Sequence, residues 1–334
     1  MLTRKFHTAR FAVLAVLFIA PRLYAATKLE PLTIGYSTFA GSFAPLWAAV
    51  EERLGAKYGL DLRAIYAGRV RPQQLLTSGD VPFVLATGTG AMTSHIVGIK
   101  DQVMVATITN KVGSAIFSRQ NIKSVEELKG KLVATGRPGA FQDVMTRYVL
   151  LSRFGLVPDR DVKFMPTGEP ALAIQALEHG VVDAAGMSVP YLFVARKMGF
   201  RELANYDRLG ITYPYTTVTV LRPMLTKQPE LIEKVLKCLI EGTHLIKSDK
   251  QKGLAILRKY QRGSSEEILE ETYQHTAATL DEAPHPTLAV FKNALEMLTP
   301  QFPQAKQADV SAMVDASFMK KIDDSGFIRA LYKK

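Results

Sequence analysis

The sequence contains one cysteine, Cys238, in a chain of 334 residues. A single cysteine excludes an internal disulfide, and it excludes a metal site built from several thiolates. Within the stretch LIEKVLKCLIEG this cysteine falls at the apolar spacing of a helix, which is typical of a small buried side chain. The sequence therefore predicts a core position for Cys238.

The sequence also lacks the short motifs that mark common catalytic sites. It has no HExxH and no GxSxG, and the turn ATGTGA at 86–91 lacks the Gly-Lys-Ser/Thr ending of a nucleotide-binding loop. The histidines beyond the N-terminus are far apart and in differing contexts, so they do not indicate a metal site: His95, His179, His244, His275 and His285. We expect a protein that is not an enzyme and has no cofactor.

An apolar run long enough to anchor the chain in a membrane is missing at the N-terminus. The run FAVLAVLFIA at 11–20 has ten residues, whereas a bilayer span needs about 20. Basic residues precede this run and the small residues of LYAA at 23–26 follow it, which is typical of a secretory signal peptide. We therefore expect removal of residues 1–25 and export of the mature chain. The alternative is a buried N-terminal helix. No cysteine lies near the cleavage site, so we do not expect a lipoprotein.

Acidic residues are outnumbered, with 31 Asp and Glu against 42 Lys and Arg, for a formal net charge of +11. Cleavage after Ala25 removes four basic residues and no acidic ones, which leaves +7. Two interpretations of this positive charge stay open: it favours an anionic ligand, or it reflects a basic surface and no more. The basic residues are scattered and are not gathered into a stripe with interleaved aromatics, so nucleic acid is not indicated as a partner.

One pattern occurs twice in the sequence. QLLTSGDVPFVLA at 74–86 and QALEHGVVDAAGM at 175–187 share glutamine, leucine and glycine at the first, third and sixth positions, before an apolar run. Each copy follows a strand pattern, a glycine-containing loop, a helix pattern that ends in aromatic-Gly-Leu, and a second strand pattern. Strands that alternate with helices predict parallel sheets with right-handed crossovers. The duplication therefore predicts two similar α/β lobes.

Two β-rich segments, at 102–120 and 211–221, are placed to cross between the lobes. From residue 227 onward the pattern is mainly helical, and we expect this tail to pack on the first lobe. The predicted division is residues 26–110 with 215–334 for lobe one and residues 111–214 for lobe two. The two lobes would face each other across a cleft that closes about the crossings.

The cleft predicts where a ligand would bind. In an open α/β sheet, ligands bind beyond the carboxyl ends of the strands, where helix N-termini present backbone N–H groups. Loops at these ends offer hydroxyls, aromatic walls and an arginine that could clamp a carboxylate or sulfonate. The candidate ligand-binding residues are Ser37, Thr38, Phe39, Ser42, Arg69, Thr87, Gly88, Thr89, Arg137, Gly139, Ala140, Phe141, Ser188 and Tyr213.

Several segments together resemble one known family. They are IGYS, APLWAAVEE and YGLDL, then SVEELKGKLVATGRPGAF, then GLVPDRDVKFMP and QALEHGVVDAAGMSVPY. Their order and spacing resemble the periplasmic substrate-binding proteins of ABC importers, in the NMT1-like branch that includes nitrate, sulfonate, taurine and thiamine-precursor binders. The resemblance implies a type II periplasmic-binding-protein fold of the α/β class. It also implies a monomer that delivers a small solute to a membrane permease and its ATPase.

Two positions depart from the family pattern. Ala140 stands where members often have a serine that helps hold an oxyanion, and Pro82 stands where the counterpart of Asp183 is expected. A sulfonate, a carboxylate and a pyrimidine precursor therefore stay open as solutes. Two other functions also stay open. One is an enzyme like the thiamine-pyrimidine synthases, which have a cysteine-rich segment that this chain lacks, and the other is a sensor domain that presents its ligand.

Overall fold

The computed structural model of the protein describes residues 28–68 and 70–333. The predicted signal peptide at 1–25 and the candidate Arg69 lie outside the described residues.

In the part of the chain that the structure describes, the strands form two five-stranded sheets with the same topology. The first sheet contains β1 (Glu30–Tyr36), β2 (Leu60–Tyr66), β3 (Phe83–Ala86), β4 (Gln102–Lys111) and β10 (Thr212–Leu221). The second contains β5 (Ser114–Ser118), β6 (Leu132–Gly136), β7 (Lys163–Gly168), β8 (Ala184–Ser188) and β9 (Arg201–Asn205). The strand orders are β2-β1-β3-β10-β4 and β7-β6-β8-β5-β9. In each sheet three strands run parallel, and the antiparallel fourth strand follows a crossing from the other lobe.

The sequence of each strand fits its place in its sheet. The central strands β3 and β5 are buried along their whole length, because helices cover both of their faces. The outer strands β2 and β7 are partly exposed. The carboxyl ends of β1, β3, β6 and β8 are followed by the loops from which the site is built.

Helices connect the strands and form the tail. Those of the two lobes are α1 (Ala44–Glu51), α2 (Pro72–Thr77), α3 (Gly88–Ile96), α4 (Phe141–Phe154), α5 (Pro170–Glu178) and α6 (Tyr191–Lys197). Those of the tail are α7 (Met224–Lys227), α8 (Pro229–Ser248), α9 (Lys250–Tyr260), α10 (Glu266–Thr279), α11 (Leu288–Leu298), α12 (Ser317–Asp324) and α13 (Phe327–Tyr332). Within the described ranges, no helix combines the length and apolar composition needed to cross a membrane.

The first helix is shorter than the sequence pattern indicated. We expected one helix that ends at Tyr58-Gly59-Leu60, but α1 ends at Glu51 and a 3₁₀ helix follows at Leu54–Tyr58. Arg53 between them has a left-handed φ of 51°. The break lets Gly55 pack closely against the next strand. A Cβ at this position would lie only 2.8 Å from the carbonyl oxygen of Leu60. Tertiary packing has overridden the helical periodicity here.

The chain crosses between the lobes at 112–113 and at 206–211. The Asp207 carboxylate joins the two crossings, because it accepts hydrogen bonds from the N–H groups of Val112 at 3.2 Å and Gly113 at 3.4 Å. The His275 ring packs against Gly113, whose φ is +48°. β10 pairs in the first sheet from Thr212 onward, slightly before the predicted boundary at 215.

The tail contacts both lobes. Helices α8, α9, α12 and α13 complete the core of the first lobe, where Trp47 is fully buried and stacks on Tyr260 with ring centroids 4.5 Å apart. We expected the whole tail to pack there, but α11 lies against α4 of the second lobe and against β10. Its side chains Phe291 and Leu298 are buried in the core that contains Phe141. A helical pattern shows which face of a helix is apolar, but it does not show which lobe that face meets.

Candidate functional site

A cavity of about 790 Å³ lies between the lobes, at the carboxyl ends of β1, β3, β6 and β8. We call it the central chamber. Lobe one lines it with residues that include Ser37, Thr38, Thr87 and Thr89, and lobe two lines it with Arg137, Gly139, Ala140, Phe141 and Ser188. All of these are predicted site residues, and the structure brings them together around one space.

The remaining candidates lie elsewhere. Phe39 lines a neighbouring cavity that is described below. Three others line neither cavity: Ser42, Gly88 and Tyr213. Ser42 accepts a hydrogen bond from Thr216 at 2.8 Å, and Gly88 packs so tightly on Pro214 that a Cβ there would lie 2.8 Å from its carbonyl oxygen. Tyr213 is fully buried and its hydroxyl lies 2.9 Å from the hydroxyl of Thr89, so it supports the wall from behind.

Arg137 lines the central chamber and is already hydrogen-bonded within the protein. Its Nη2 donates to Glu169 Oε1 at 2.9 Å and to the carbonyl oxygen of Gly68, in the first lobe, at 3.4 Å. The guanidinium therefore joins the two lobes and shares its charge with a carboxylate. Tyr66 lies beside this pair. Burial is the largest cause that raises the pKa of its phenol. The Glu169 charge raises this pKa further, and the Arg137 charge lowers it.

The backbone donors predicted at the start of α4 are also used within the protein. The N–H of Gly139 donates to Asp143 Oδ2 at 2.9 Å, and the N–H of Ala140 donates to the carbonyl oxygen of Arg137 at 2.9 Å. An acidic side chain in the first turn of a helix is attracted by the N–H groups and dipole of the helix start. A ligand that approached these two donors would therefore compete with groups of the loop itself.

Asp143 holds the second lobe's wall of the central chamber in place. Its side chain is buried and accepts hydrogen bonds from Thr135 Oγ1 at 3.2 Å, Arg147 Nε at 2.8 Å and Gln301 Nε2 at 3.0 Å. Arg147 also pairs with Asp159 at 2.6 Å. Arg147 and Asp143 both line the chamber, where they balance each other in charge.

Sequence reasoning missed the part of the wall that comes from the tail. Gln301 and Phe302 follow α11 and line the central chamber. The ring of Phe302 lies 3.3 Å from the position that a Cβ on Gly139 would occupy. No local signal could have indicated this contact, because some 160 residues separate its partners in the chain. Gln142 also lines the chamber, and its place directly after the predicted Phe141 could have indicated it.

A second cavity, of about 1010 Å³, opens beside the first. We call it the aromatic chamber, because Tyr36, Phe39, Tyr66, Tyr191 and Tyr260 are among its lining residues. It shares five residues with the central chamber, so the two form one continuous cleft: Thr38, Tyr66, Glu169, Pro170 and Ser188.

The cysteine of this chain lies away from the site. Cys238 is fully buried in α8, within the core of the first lobe, and burial raises the pKa of its thiol to about 12. It lines neither chamber. Across residues 28–68 and 70–333, no three His, Cys, Asp or Glu side chains are grouped so that they could hold a metal ion.

The model of the NMT1-like family matches residues 25–257 of the sequence. The chain belongs to the NMT1-like family. This confirms the family predicted from the order of the sequence segments. No curated protein matches the sequence of this NMT1-like chain.

Solved structures share the fold of this NMT1-like protein. The periplasmic aliphatic sulphonate binding protein SsuA from Escherichia coli is 22% identical, with a TM-score of 0.71 over 86% of this chain and 92% of that one. The periplasmic nitrate-binding protein NrtA from Synechocystis PCC 6803 is 14% identical, with a TM-score of 0.69 over 89% of each chain. The desulfurization enzyme DSZB is 13% identical, with a TM-score of 0.63 over 88% of this chain and 99% of that one. The predicted α/β, type II periplasmic-binding-protein fold is confirmed.

Proposed function

We propose that this protein captures a small anionic organic solute between its lobes and delivers it to an ABC importer. The observation that carries the proposal is the central chamber. Both lobes line it with hydroxyls from the ends of their strands, and Arg137 is among its lining residues. Such an edge, where parallel strands end and helices begin, is where open α/β sheets bind ligands.

The relatives support an oxyanion as the solute. The Escherichia coli protein is named for aliphatic sulphonates and the Synechocystis protein for nitrate. Small-molecule sites commonly have volumes of about 300–1,000 Å³. At about 790 Å³, the central chamber offers more room than a bare inorganic ion needs, which favours an organic acid.

Capture would follow from closure about the two crossings at 112–113 and 206–211. Binding the solute to both lobes at once stabilises the closed form by the difference in affinity between the open and closed states. The Arg137 contact with Gly68 is one bond that such a closed form would contain. A periplasmic location, a cleaved signal peptide, and a permease with its ATPase as partners remain part of the proposal.

A thermal-shift screen of alkyl sulfonates, carboxylates and pyrimidines tests solute binding. A solute present at 100 times its Kd adds about 2.7 kcal/mol to the free energy of unfolding, and so raises Tm by several degrees. We expect Arg137→Ala to lose most of this rise and Arg153→Ala, an exposed arginine at the other end of α4, to keep it. If no acid raises Tm, or if Arg137→Ala responds like the wild type, the proposal of an anionic solute is wrong.

The enzyme alternative has one specific observation in its favour, because the desulfurization enzyme DSZB shares the fold. Incubating the protein with a solute found in the screen, followed by mass spectrometry of that solute, separates the two functions. We expect the solute to be recovered unchanged. Uptake of the labelled solute by cells with and without this protein then distinguishes import from sensing.

A further inference from the structure

The aromatic chamber exposes two adjacent aromatic rings to solvent. The rings of Phe39 and Tyr66 lie side by side, with centroids 4.5 Å apart, and each residue is 37% exposed. The buried ring of Tyr36 lies behind them, 5.7 Å from each. Large exposed apolar groups that cluster in a cleft are characteristic of ligand sites, because their exposure to water is unfavourable.

This aromatic layer packs on further aromatic rings of the first lobe. Tyr36 packs edge-on against Trp47 at 5.9 Å, and Trp47 stacks on Tyr260. Tyr36 and Tyr66 also pair directly in register across β1 and β2. The two exposed rings therefore rest on a continuous aromatic core, so they can receive a ligand face without first being ordered.

The second lobe faces this layer with apolar groups of its own. Pro190, Tyr191 and Val194 line the chamber from the start of α6, and Met198, 41% exposed, lines it just after the helix. Positively charged side chains also line the chamber, and two of them form ion pairs. Lys197 pairs with Glu267, and Lys259 pairs with Glu51. Apolar and aromatic groups from both lobes therefore face each other across part of this chamber, and charged and polar residues such as Glu51, Arg262 and Gln261 complete its lining.

The junction between the chambers limits how a ligand can lie in the cleft. Glu169 lines both chambers, and its partner Arg137 lines the central one. An acidic group bound beside Arg137 would therefore sit next to the opening into the aromatic chamber. A flat substituent that extended from that acid into the aromatic chamber would pass Tyr66, which lines both chambers.

We propose that the aromatic chamber binds the planar ring of an aryl solute, whose acidic group lies in the central chamber. Aromatic rings stack in offset or edge-to-face arrangements, and Phe39 and Tyr66 offer faces for both. The acidic half of this ligand rests on the function proposed above, whereas the ring half rests on the aromatic chamber alone. The solute class is thus narrowed from organic acids to aryl acids.

A matched pair of probes tests the ring separately from the acid. Benzenesulfonate and cyclohexanesulfonate differ in aromaticity but share their acidic group, and neutral indole has an aromatic ring without any acid. We expect calorimetry to show that benzenesulfonate binds roughly three- to tenfold tighter than cyclohexanesulfonate. Tyr66→Ala should abolish this preference, and Tyr66→Phe should keep it.

Ile65→Ala is the control variant, because Ile65 precedes Tyr66 on β2, is 48% exposed and lines neither chamber. It should keep the preference. If the two sulfonates bind equally, or if the preference survives Tyr66→Ala, the proposal that the aromatic chamber binds the ring is wrong, although the proposed solute binding is unaffected. Saturation-transfer NMR with indole covers the case in which neither sulfonate binds. If it detects indole on the wild type and not on Tyr66→Ala, ring binding in the aromatic chamber is supported and the proposal of an anionic solute is wrong. If none of the three probes binds, the proposal that the aromatic chamber binds an aryl ring is wrong.

Discussion

The guanidinium of Arg137 lies 2.9 Å from the carboxylate of Glu169, so this cation of the central chamber is paired within its own lobe. Both side chains are partly exposed, at 39% and 48%. Pairs with this much exposure contribute little to stability, because water screens them. The pair matters more for binding, since an anionic solute must share Arg137 with Glu169.

Glu169→Gln should therefore strengthen the binding of an anionic solute found in the screen. Removing the competing charge leaves more of the Arg137 charge to the solute, and we expect Kd to fall roughly two- to fivefold. Isothermal titration calorimetry measures this change. The control is Glu178→Gln, which should leave Kd unchanged, because Glu178 is exposed at the far end of α5, the helix that Glu169 precedes. An unchanged or weaker affinity in Glu169→Gln would show that Glu169 does not oppose the solute.

Asp143 and Asp159 both pair with Arg147, but Asp143 is buried and Asp159 is exposed. We therefore expect the two carboxylates to differ in their contribution to stability. Asp143 is 3% exposed in its side chain and Asp159 is 69% exposed. Asp143→Asn places an amide among buried donors, and we expect it to cost about 3 kcal/mol of unfolding free energy. Asp159→Asn should cost less than about 1 kcal/mol. Urea unfolding followed by circular dichroism compares them, and similar costs would contradict the buried network.

Gly113 is predicted to be intolerant of a side chain for two reasons. Its φ is +48°, and a Cβ would lie 2.5 Å from Nε2 of His275. Gly199 has a φ of +78° with open space around its Cβ position, so Gly199→Ala should cost about 1 kcal/mol from backbone strain alone. Gly113→Ala should cost more, and His275→Ala should recover part of the excess. Equal unfolding free energies for the two alanine variants would show that the His275 contact carries no constraint.

Stability should fall in mild acid because of buried His95. Its Nε2 lies 2.6 Å from the carbonyl oxygen of Gln102. Burial lowers the pKa of His95, an effect that the Gln102 carbonyl opposes. As pH falls below the ordinary histidine value of about 6.5, the unfolded chain binds a proton that the folded chain does not. The unfolding free energy therefore decreases until the lowered folded-state pKa is passed.

His95→Gln should lose less unfolding free energy than the wild type between pH 7.5 and pH 5.5. Burial lowers the pKa of His275 as well, so part of the decrease should remain in this variant. Urea titrations at the two pH values measure the difference. The exposed His179 provides the control, since His179→Gln should follow the wild type. A decrease in His95→Gln as large as that of the wild type would remove His95 as a cause.

Local patterns predicted two similar lobes, but they did not predict where every helix ends. The repeated glutamine, leucine and glycine mark the turns into β3 and β8, which occupy the same place in the two sheets. The long helix expected after β1 breaks at Arg53, because Gly55 packs against Leu60. Hydrophobic periodicity reports which residues are buried, but it does not report where a close contact interrupts a helix.

The sequence by itself determined two similar α/β lobes and the loops at their strand ends, because side-chain period, glycine and helix starts are local properties of a chain. Only the tertiary structure decided what those loops do. It paired Arg137 with Glu169, occupied the N–H of Gly139 with Asp143, and brought Phe302 from the tail to the same wall. Hydrogen bonds and packing between residues distant in the chain depend on where folding places them, and no local pattern records that.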